Sequence, residues 1–188
     1  MQRIAVYCGS SEGARPVYGD AARALGAELA RRGLGTVYGG GRLGLMGMVA
    51  DSALAGGGEV HGVIPQALVE LEVAHTGLTK LHTVGGMHER KARMTDLSDA
   101  FIVMPGGIGT LDELFEAWSW NALGYHSKPF GLLDIDGYWQ EMIGFLDTAT
   151  REGFMSPKRR EQLVVASDIG TMIDELGKRA GGTAEMVW

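Results

Sequence analysis

Short apolar runs alternate with amphipathic segments along most of the 188-residue chain, and this alternation restricts its fold more than any other feature. The apolar runs predict buried strands at residues 3–8, 34–38, 59–64, 80–84, 100–104, 129–134 and 163–166. The segments between them repeat apolar residues at helical spacing and predict helices at 16–32, 43–55, 87–97, 111–123, 137–152 and 169–179. Strands that alternate with helices predict an α/β protein with a parallel sheet and helices on both faces. We expect one domain over residues 1–180, followed by a loose tail at 181–188.

The composition excludes several classes of protein. A net charge of −6 argues against binding of a nucleic-acid polymer, which needs a basic face. No apolar run approaches the ~18 residues of a membrane span, so we expect no membrane association. The single cysteine, Cys8, excludes an intrachain disulfide and an all-cysteine metal site. It favours a reducing compartment, and we expect a cytoplasmic location.

The chain has thirty glycines, about twice the average usage, and many follow predicted strands. In parallel sheets these loops meet at the edge where ligands bind. The first loop is CGSSEG, residues 8–13, and its Ser10 is suited either to a ligand or to a tight turn before the next helix. We interpret Cys8 as a small buried residue rather than a nucleophile, because no base lies near it in the sequence.

The second loop, YGGGRLGLMG at 38–47, contains Gly40, Gly41 and Met46. Consecutive glycines are costly in backbone entropy, so they favour close approach of a nucleotide over a plain turn. The spacing is not G-x-G-x-x-G, and no acidic residue ends the preceding strand. Both absences argue against a dinucleotide-dependent dehydrogenase.

The segment MHERKARM at 87–94 places Met87, Arg90, Lys91 and Met94 on one helical face. Two cations between two methionines predict a half-buried face with its charges directed at an anion. The alternative is that these side chains snorkel at the edge of the core.

The segment MPGGIGTLDELFEAW at 104–118 joins a strand to a helix through Gly106, Gly107 and Gly109. Backbone N–H groups of such a loop form an anion site, to which Thr110 adds a hydroxyl. The alternative is a capping box, in which Thr110 caps the helix and Glu113 returns to it. Capping does not explain the glycines. A carboxylate beside an anion site is unfavourable unless it faces a developing cation.

These three segments, as GGGRLGLMG, MHERKARM and PGGIGTLDE, resemble the Lonely guy family of cytokinin riboside 5′-monophosphate phosphoribohydrolases. The resemblance runs from the first strand to about Leu176. It implies a Rossmann-like, doubly wound fold, assembly as a homodimer at least, and cleavage of AMP or N6-modified AMP into base and ribose 5-phosphate, with neither metal nor cofactor. Gly86 departs from the aspartate that many members place before the methionine.

By position, the resemblance implies that Arg90 and Glu113 are the catalytic pair and that residues 107–110 hold the phosphate. The residues expected to bind substrate, from the loops described above or from the resemblance, are Ser10, Gly40, Gly41, Met46, Glu72, Met87, Lys91, Gly106, Gly107, Ile108, Gly109, Thr110, Leu111, Asp112 and Ser119. The chemistry agrees, because the sugar gains positive charge as a glycosidic bond breaks and a carboxylate stabilises that charge. Arg90 remains protonated and acts electrostatically.

Three questions stay open at the level of sequence. The same loops would serve a non-catalytic nucleotide carrier or sensor. Lysine decarboxylation, an older description of the family, needs pyridoxal phosphate on a lysine, and none of the five lysines has a convincing setting. Trp118, Trp120 and Tyr125 make one helix aromatic on more than one face, which fits either the core or a partner subunit.

Overall fold

The computed structural model of the chain describes residues 1–69, 71 and 74–180. In these residues, seven parallel strands form one sheet in the order β4-β3-β2-β1-β5-β6-β7. The strands are β1 (Arg3–Tyr7), β2 (Gly35–Tyr38), β3 (Val60–Pro65), β4 (Lys80–Val84), β5 (Ala100–Val103), β6 (Phe130–Leu133) and β7 (Leu163–Ala166). The predicted α/β class is therefore confirmed.

The helices follow the strands along the chain. They are α1 (Pro16–Arg31), α2 (Gly44–Ala55), α3 (Met87–Leu97), α4 (Ile108–Ala122), α5 (Gln140–Arg151), α6 (Pro157–Glu161) and α7 (Ile169–Arg179). Short 3-10 turns follow β3 at Gln66–Leu68 and β6 at Ile135–Gly137. Within the described ranges, no helix is long and apolar enough to cross a membrane.

The sheet separates two apolar cores, and β1 shows how. Its residues Ile4 and Val6 pack with α1, α2 and α7 on one face. Its residues Ala5 and Tyr7 pack with α3, α4 and α5 on the other. Because both faces of the strand are covered, a continuous apolar run is required, which is the pattern seen in the sequence.

The order of strands reverses at β1, which pairs with β2 on one side and β5 on the other. Ala5 lies opposite Val37 in β2 and opposite Phe101 in β5. At such a switch point the loops after the central strands diverge to opposite faces and leave a crevice at the carboxyl ends of the strands. The fold therefore places the loops after β1 and β5 on either side of one opening.

Two predicted boundaries were wrong, and one helix was missed. Helix α4 begins at Ile108 rather than at 111, because its first residues include glycine and lack an apolar repeat. The helix predicted at 137–152 begins only at Gln140, because Asp136 and Gly137, with φ of 51° and 76°, end a separate 3-10 turn before it. Helix α6 was not predicted; its start is capped by Ser156, which accepts a hydrogen bond from the Arg159 N–H.

Candidate active site

A cleft of about 360 Å³ opens at the carboxyl ends of β1, β2 and β5. Nine of the predicted site residues line it: Ser10, Met46, Met87, Arg90, Gly107, Ile108, Gly109, Thr110 and Glu113. Six further lining residues were not predicted as site residues: Val6, Cys8, Gly9, Ser11, Gly39 and Leu68. The separate motifs of the sequence thus meet at the switch point of the sheet.

The loops after β1, β2 and β5 are interlocked. The Gly9 N–H donates to the Pro105 carbonyl at 3.1 Å, and the Met46 N–H donates to the Gly9 carbonyl at 3.4 Å. Gly44 has φ of 60°, and a Cβ there would overlap the backbone of Ser10. The three glycine-rich loops consequently form one rigid rim around the cleft.

The start of α4 brings to this rim backbone N–H groups that have no partner within the helix. The Leu111 N–H donates to the Gly107 carbonyl at 3.1 Å, so the N–H groups before it have no partner within the helix. A Cβ built on Gly107 or Gly109 would meet no described atom within 4 Å. The surrounding described residues would therefore leave room for a side chain at both positions. The open space beside these glycines suits an anion bound at the helix N-terminus.

The capping-box alternative was wrong. The N-cap residue of α4 is Gly107, so no side chain caps the helix. Thr110 lies inside the first turn. The Thr110 side chain instead covers Gly106, where a Cβ would lie only 2.7 Å from the Thr110 Cβ. Glu113 therefore lies a full turn beyond the cap and lines the cleft.

Arg90 reaches the cleft from α3 and is only 4% exposed. Its Nη2 donates to the Gly39 carbonyl at 2.9 Å, and its Nη1 lies 3.8 Å from the Met87 Sδ. A Cβ on Gly39 would overlap the Arg90 guanidinium and lie 2.9 Å from the Met46 Sδ. The first glycine after β2 is thus required by the arginine. With Glu113 on α4, the cleft has a cation and a carboxylate from different helices.

Cys8 lines the cleft but is not suited to nucleophilic attack. Burial, and after it the negative charge of Glu113, raises the pKa of the Cys8 thiol well above its ordinary value. The same two causes, in the same order, raise the pKa of the neighbouring Tyr7 hydroxyl. Both groups therefore stay neutral. Because the thiolate is the reactive form of cysteine, a neutral Cys8 is a poor nucleophile.

Lys91 does not line the cleft. It is 7% exposed, and its Nζ lies 2.9 Å from a carboxylate oxygen of Asp112 and 3.0 Å from one of Glu116. Burial by itself lowers the pKa of Lys91, but hydrogen bonds to these two carboxylates outweigh it and raise the pKa. The lysine and Asp112 therefore join α3 to α4 beside the cleft.

The other predicted residues lie around the cleft rather than in its lining. Gly40 has φ of 81° and packs against Ile64 and Leu81. Ser119 is exposed, three turns along α4. Gly41, Gly106 and Leu111 also lie outside the lining, and Glu72 falls outside the described residues. Of the six residues not predicted individually, Cys8, Gly9 and Ser11 belong to the loop at 8–13 and Gly39 belongs to the glycine run at 38–47, whereas Val6 and Leu68 had no sequence signal.

Neither a metal centre nor a lysine-bound cofactor is indicated by the described side chains. In residues 1–69, 71 and 74–180, no group of three or more His, Cys, Asp or Glu side chains is arranged to hold a metal ion. No lysine is among the residues that line the cleft.

A protein family described as possible lysine decarboxylase matches residues 46–176. Two curated plant proteins are similar over most of their length. A probable cytokinin riboside 5′-monophosphate phosphoribohydrolase of Oryza sativa subsp. japonica is 48% identical over 176 residues, which is 94% of this chain and 78% of the relative. A cytokinin riboside 5′-monophosphate phosphoribohydrolase of Arabidopsis thaliana is 46% identical over 180 residues, or 96% and 84% of the two chains.

Solved structures with the same fold include a Moco carrier protein of Chlamydomonas reinhardtii. It has a TM-score of 0.72 at 22% identity and covers 95% of this chain and 96% of that one. At this identity the likeness shows the fold alone. The family match over more than half of the chain, together with its identity to the curated relatives, shows that the chain belongs to the Lonely guy family of phosphoribohydrolases.

Proposed function

We propose that the protein hydrolyses the N-glycosidic bond of AMP or N6-modified AMP to release the free base and ribose 5-phosphate. The observation that supports this best is the composition of one cleft, in which Arg90 and Glu113 lie with the residues that begin α4, whose N–H groups have no partner within the helix. Its volume of about 360 Å³ is at the small end of the ~300–1,000 Å³ typical of ligand pockets, which suits a mononucleotide. The names of the curated relatives describe phosphoribohydrolases of cytokinin riboside 5′-monophosphates, which are N6-modified nucleotides.

In this proposal the phosphate binds at residues 107–110, and Ser10 adds a hydroxyl from the loop after β1. The sulfur side chains of Met46 and Met87 offer an apolar wall to the base. Energy from binding the phosphate, which does not react, holds the anomeric carbon beside Glu113.

Glu113 acts at the anomeric carbon. The ribose passes through an oxocarbenium-like state, whose positive charge the carboxylate stabilises while it orients or deprotonates the attacking water. Arg90 stays protonated, so it acts by electrostatic attraction to substrate or to Glu113 and not as an acid. The buried setting of Arg90 strengthens these interactions, because less water screens them.

A product assay tests the proposal. The purified protein should release adenine from AMP and from N6-isopentenyl-AMP, and it should act poorly on adenosine, which lacks the phosphate. Equal turnover of AMP and adenosine would show that residues 107–110 do not bind phosphate. Tight binding of AMP without release of adenine would identify a carrier instead. Release of carbon dioxide from lysine would support the decarboxylase reading, which the absence of lysine from the cleft lining disfavours.

Substitution of the carboxylate tests the catalytic role. Glu113→Gln keeps the shape of the side chain but removes its charge, and Glu113 lies beyond the cap of α4. We expect a normally folded protein whose kcat for AMP falls at least about a hundredfold, the size of a typical acid–base contribution. Circular dichroism and the rate of adenine release measure the two effects. Near-full activity would remove Glu113 from the mechanism.

We also infer a homodimer and a cytoplasmic location. On α4, Ile108 and Phe115 are exposed, and Leu123 follows the helix with an exposed apolar side chain, whereas Trp118 packs in the core. An apolar helix face suits a partner subunit. Sedimentation at several concentrations tests the dimer, and a Phe115→Asp variant should sediment as a monomer. The buried free thiol of Cys8 suits a reducing compartment.

A further inference from the structure

Tyr138 contacts the glycine loop from outside the cleft. It follows the 3-10 turn after β6, and its hydroxyl donates to the Gly106 carbonyl at 2.7 Å. Tyr138 is not among the residues that line the cleft, whereas Gly107 is. The hydroxyl therefore contacts the loop from a residue that is not part of the cleft lining.

This hydrogen bond fixes the orientation of one peptide unit. The described chain has no cis peptide, and in a planar trans peptide the carbonyl and the following N–H point in opposite directions. With the Gly106 carbonyl held by Tyr138, the Gly107 N–H points away from the Tyr138 hydroxyl, and Gly107 itself lines the cleft. Gly106 and Gly107 could otherwise rotate easily, since neither has a side chain to restrict φ and ψ.

The ring of Tyr138 is held by its own contacts. It meets Trp139 edge-on at 4.7 Å between ring centroids, and it meets Tyr18 edge-on at 5.6 Å. The turn before it is tied to the loop after β1 by an ion pair between Arg15 and Asp136. Because the ring is positioned independently of its hydroxyl, a phenylalanine should occupy the same place.

We propose that Tyr138 is a positioning residue for phosphate binding: it holds the Gly106–Gly107 peptide with its N–H directed at the phosphate of the substrate. The proposal rests on the proposed function for the identity of the ligand. It assigns to Tyr138 no contact with the reacting atoms. It predicts that loss of the hydroxyl weakens the binding of every ligand that bears the phosphate and leaves the rate of the chemical step unchanged.

The test is Tyr138→Phe, with Tyr125→Phe as a matched control that removes the hydroxyl of an exposed tyrosine. One lost hydrogen bond should raise the KM for AMP about five- to tenfold, with kcat within about twofold of the wild type. The dissociation constant of ribose 5-phosphate, measured by calorimetry, should rise by the same factor. The melting temperature, the slow turnover of adenosine and all properties of Tyr125→Phe should stay unchanged.

Two outcomes would overturn the proposal. One is an unchanged affinity for ribose 5-phosphate in Tyr138→Phe. The other is a fall in kcat with an unchanged KM, which would mean that the hydroxyl acts in the chemical step. Calorimetry does not depend on turnover, so failure of the wild type to cleave AMP would count against the proposed function and leave this measurement valid.

Discussion

At the scale of single residues, glycine is required around the cleft for two different reasons. Gly39 and Gly106 are required by neighbouring protein atoms, because a Cβ there would overlap Arg90 or Thr110. Gly107 and Gly109 have open space beside them in the described structure. Glycine in a helix costs stability relative to alanine, so Gly109 is not explained by the stability of α4. A ligand that approaches the backbone closely explains it.

Gly109→Ala separates folding from binding. Alanine is the better helix former, so the free energy of unfolding should stay equal or rise by about 0.5–1 kcal/mol. The new methyl group lies at the rim of the cleft, and the KM for AMP should rise severalfold. Urea denaturation and steady-state kinetics measure the two effects. A stabilised variant with an unchanged KM would show that no ligand needs the space at Gly109.

Gly39→Ala is the counterpart of Gly109→Ala, because here the added methyl group would overlap protein atoms instead of entering open space. Its Cβ would overlap the Arg90 guanidinium and press on the Met46 Sδ at 2.9 Å, so both side chains must move. We expect kcat for AMP to fall at least about tenfold, as for misplacement of a catalytic group. Urea denaturation should show destabilisation of about 1–3 kcal/mol, typical of overpacking. Unchanged kinetics would mean that Arg90 does not need its bond to the Gly39 carbonyl.

At the scale of elements, the pairing of α3 with α4 builds the candidate catalytic pair. Arg90 and Lys91 are adjacent on α3, yet Arg90 turns to the cleft and Lys91 turns to Asp112 and Glu116 on α4. Those two carboxylates flank Glu113 in the sequence of α4. The lysine thus links the two helices that bear Arg90 and Glu113.

Periodicity predicted most elements because each reflects local spacing of apolar residues. Periodicity placed Met87, Arg90, Lys91 and Met94 on one face of α3; the last three are buried, whereas Met87 at the start of the helix is 44% exposed. The direction of each charged head was not predictable, since it depends on α4, which follows α3 only after β5. The start of α4 was missed because the helix is capped by Gly107, and glycine gives no capping side-chain signal in the sequence.

Lys91→Met tests the role of the lysine. Methionine keeps much of the length but leaves the carboxylates of Asp112 and Glu116 without their cation, which should cost about 1–3 kcal/mol of unfolding free energy. Adding Glu116→Gln should recover part of that loss, because one unpaired charge is removed. Denaturant unfolding of the single and double variants gives the coupling. A large rise in the KM for AMP at unchanged stability would instead identify Lys91 as a substrate ligand.

At the scale of the whole molecule, the strand order determines where the site forms. The alternation of strands and helices predicted a parallel sheet with ligands at its carboxyl edge. It did not predict that β1 lies between β2 and β5, because strand order depends on contacts between distant segments. Once β1 is central, Gly9, Met46 and Pro105 come from distant parts of the chain and bond to one another.

One buried side chain, the imidazole of His126, should make the stability of the fold depend on pH. His126 is 9% exposed and packs on Phe101 at 5.5 Å between ring centroids, and its Nδ1 accepts from the Lys128 N–H at 3.1 Å. Burial first, and then the charge of Lys128, lowers its pKa from 6.5 to about 4, against an opposing hydrogen bond with the backbone of Ala117. The folded protein therefore keeps this imidazole neutral where the unfolded chain protonates it.

Stability should consequently fall as the pH drops from about 6.5 to about 4, since the unfolded state binds the extra proton in that window. The contribution of His126 is fully present above pH 6.5, and its loss amounts to at most about 3 kcal/mol. His126→Asn should flatten the profile of unfolding free energy between these two pH values. His82→Asn is the control at a more exposed histidine, whose pKa burial also lowers, and should flatten it less. Equal slopes in wild type and His126→Asn would show that His126 takes up its proton without unfolding.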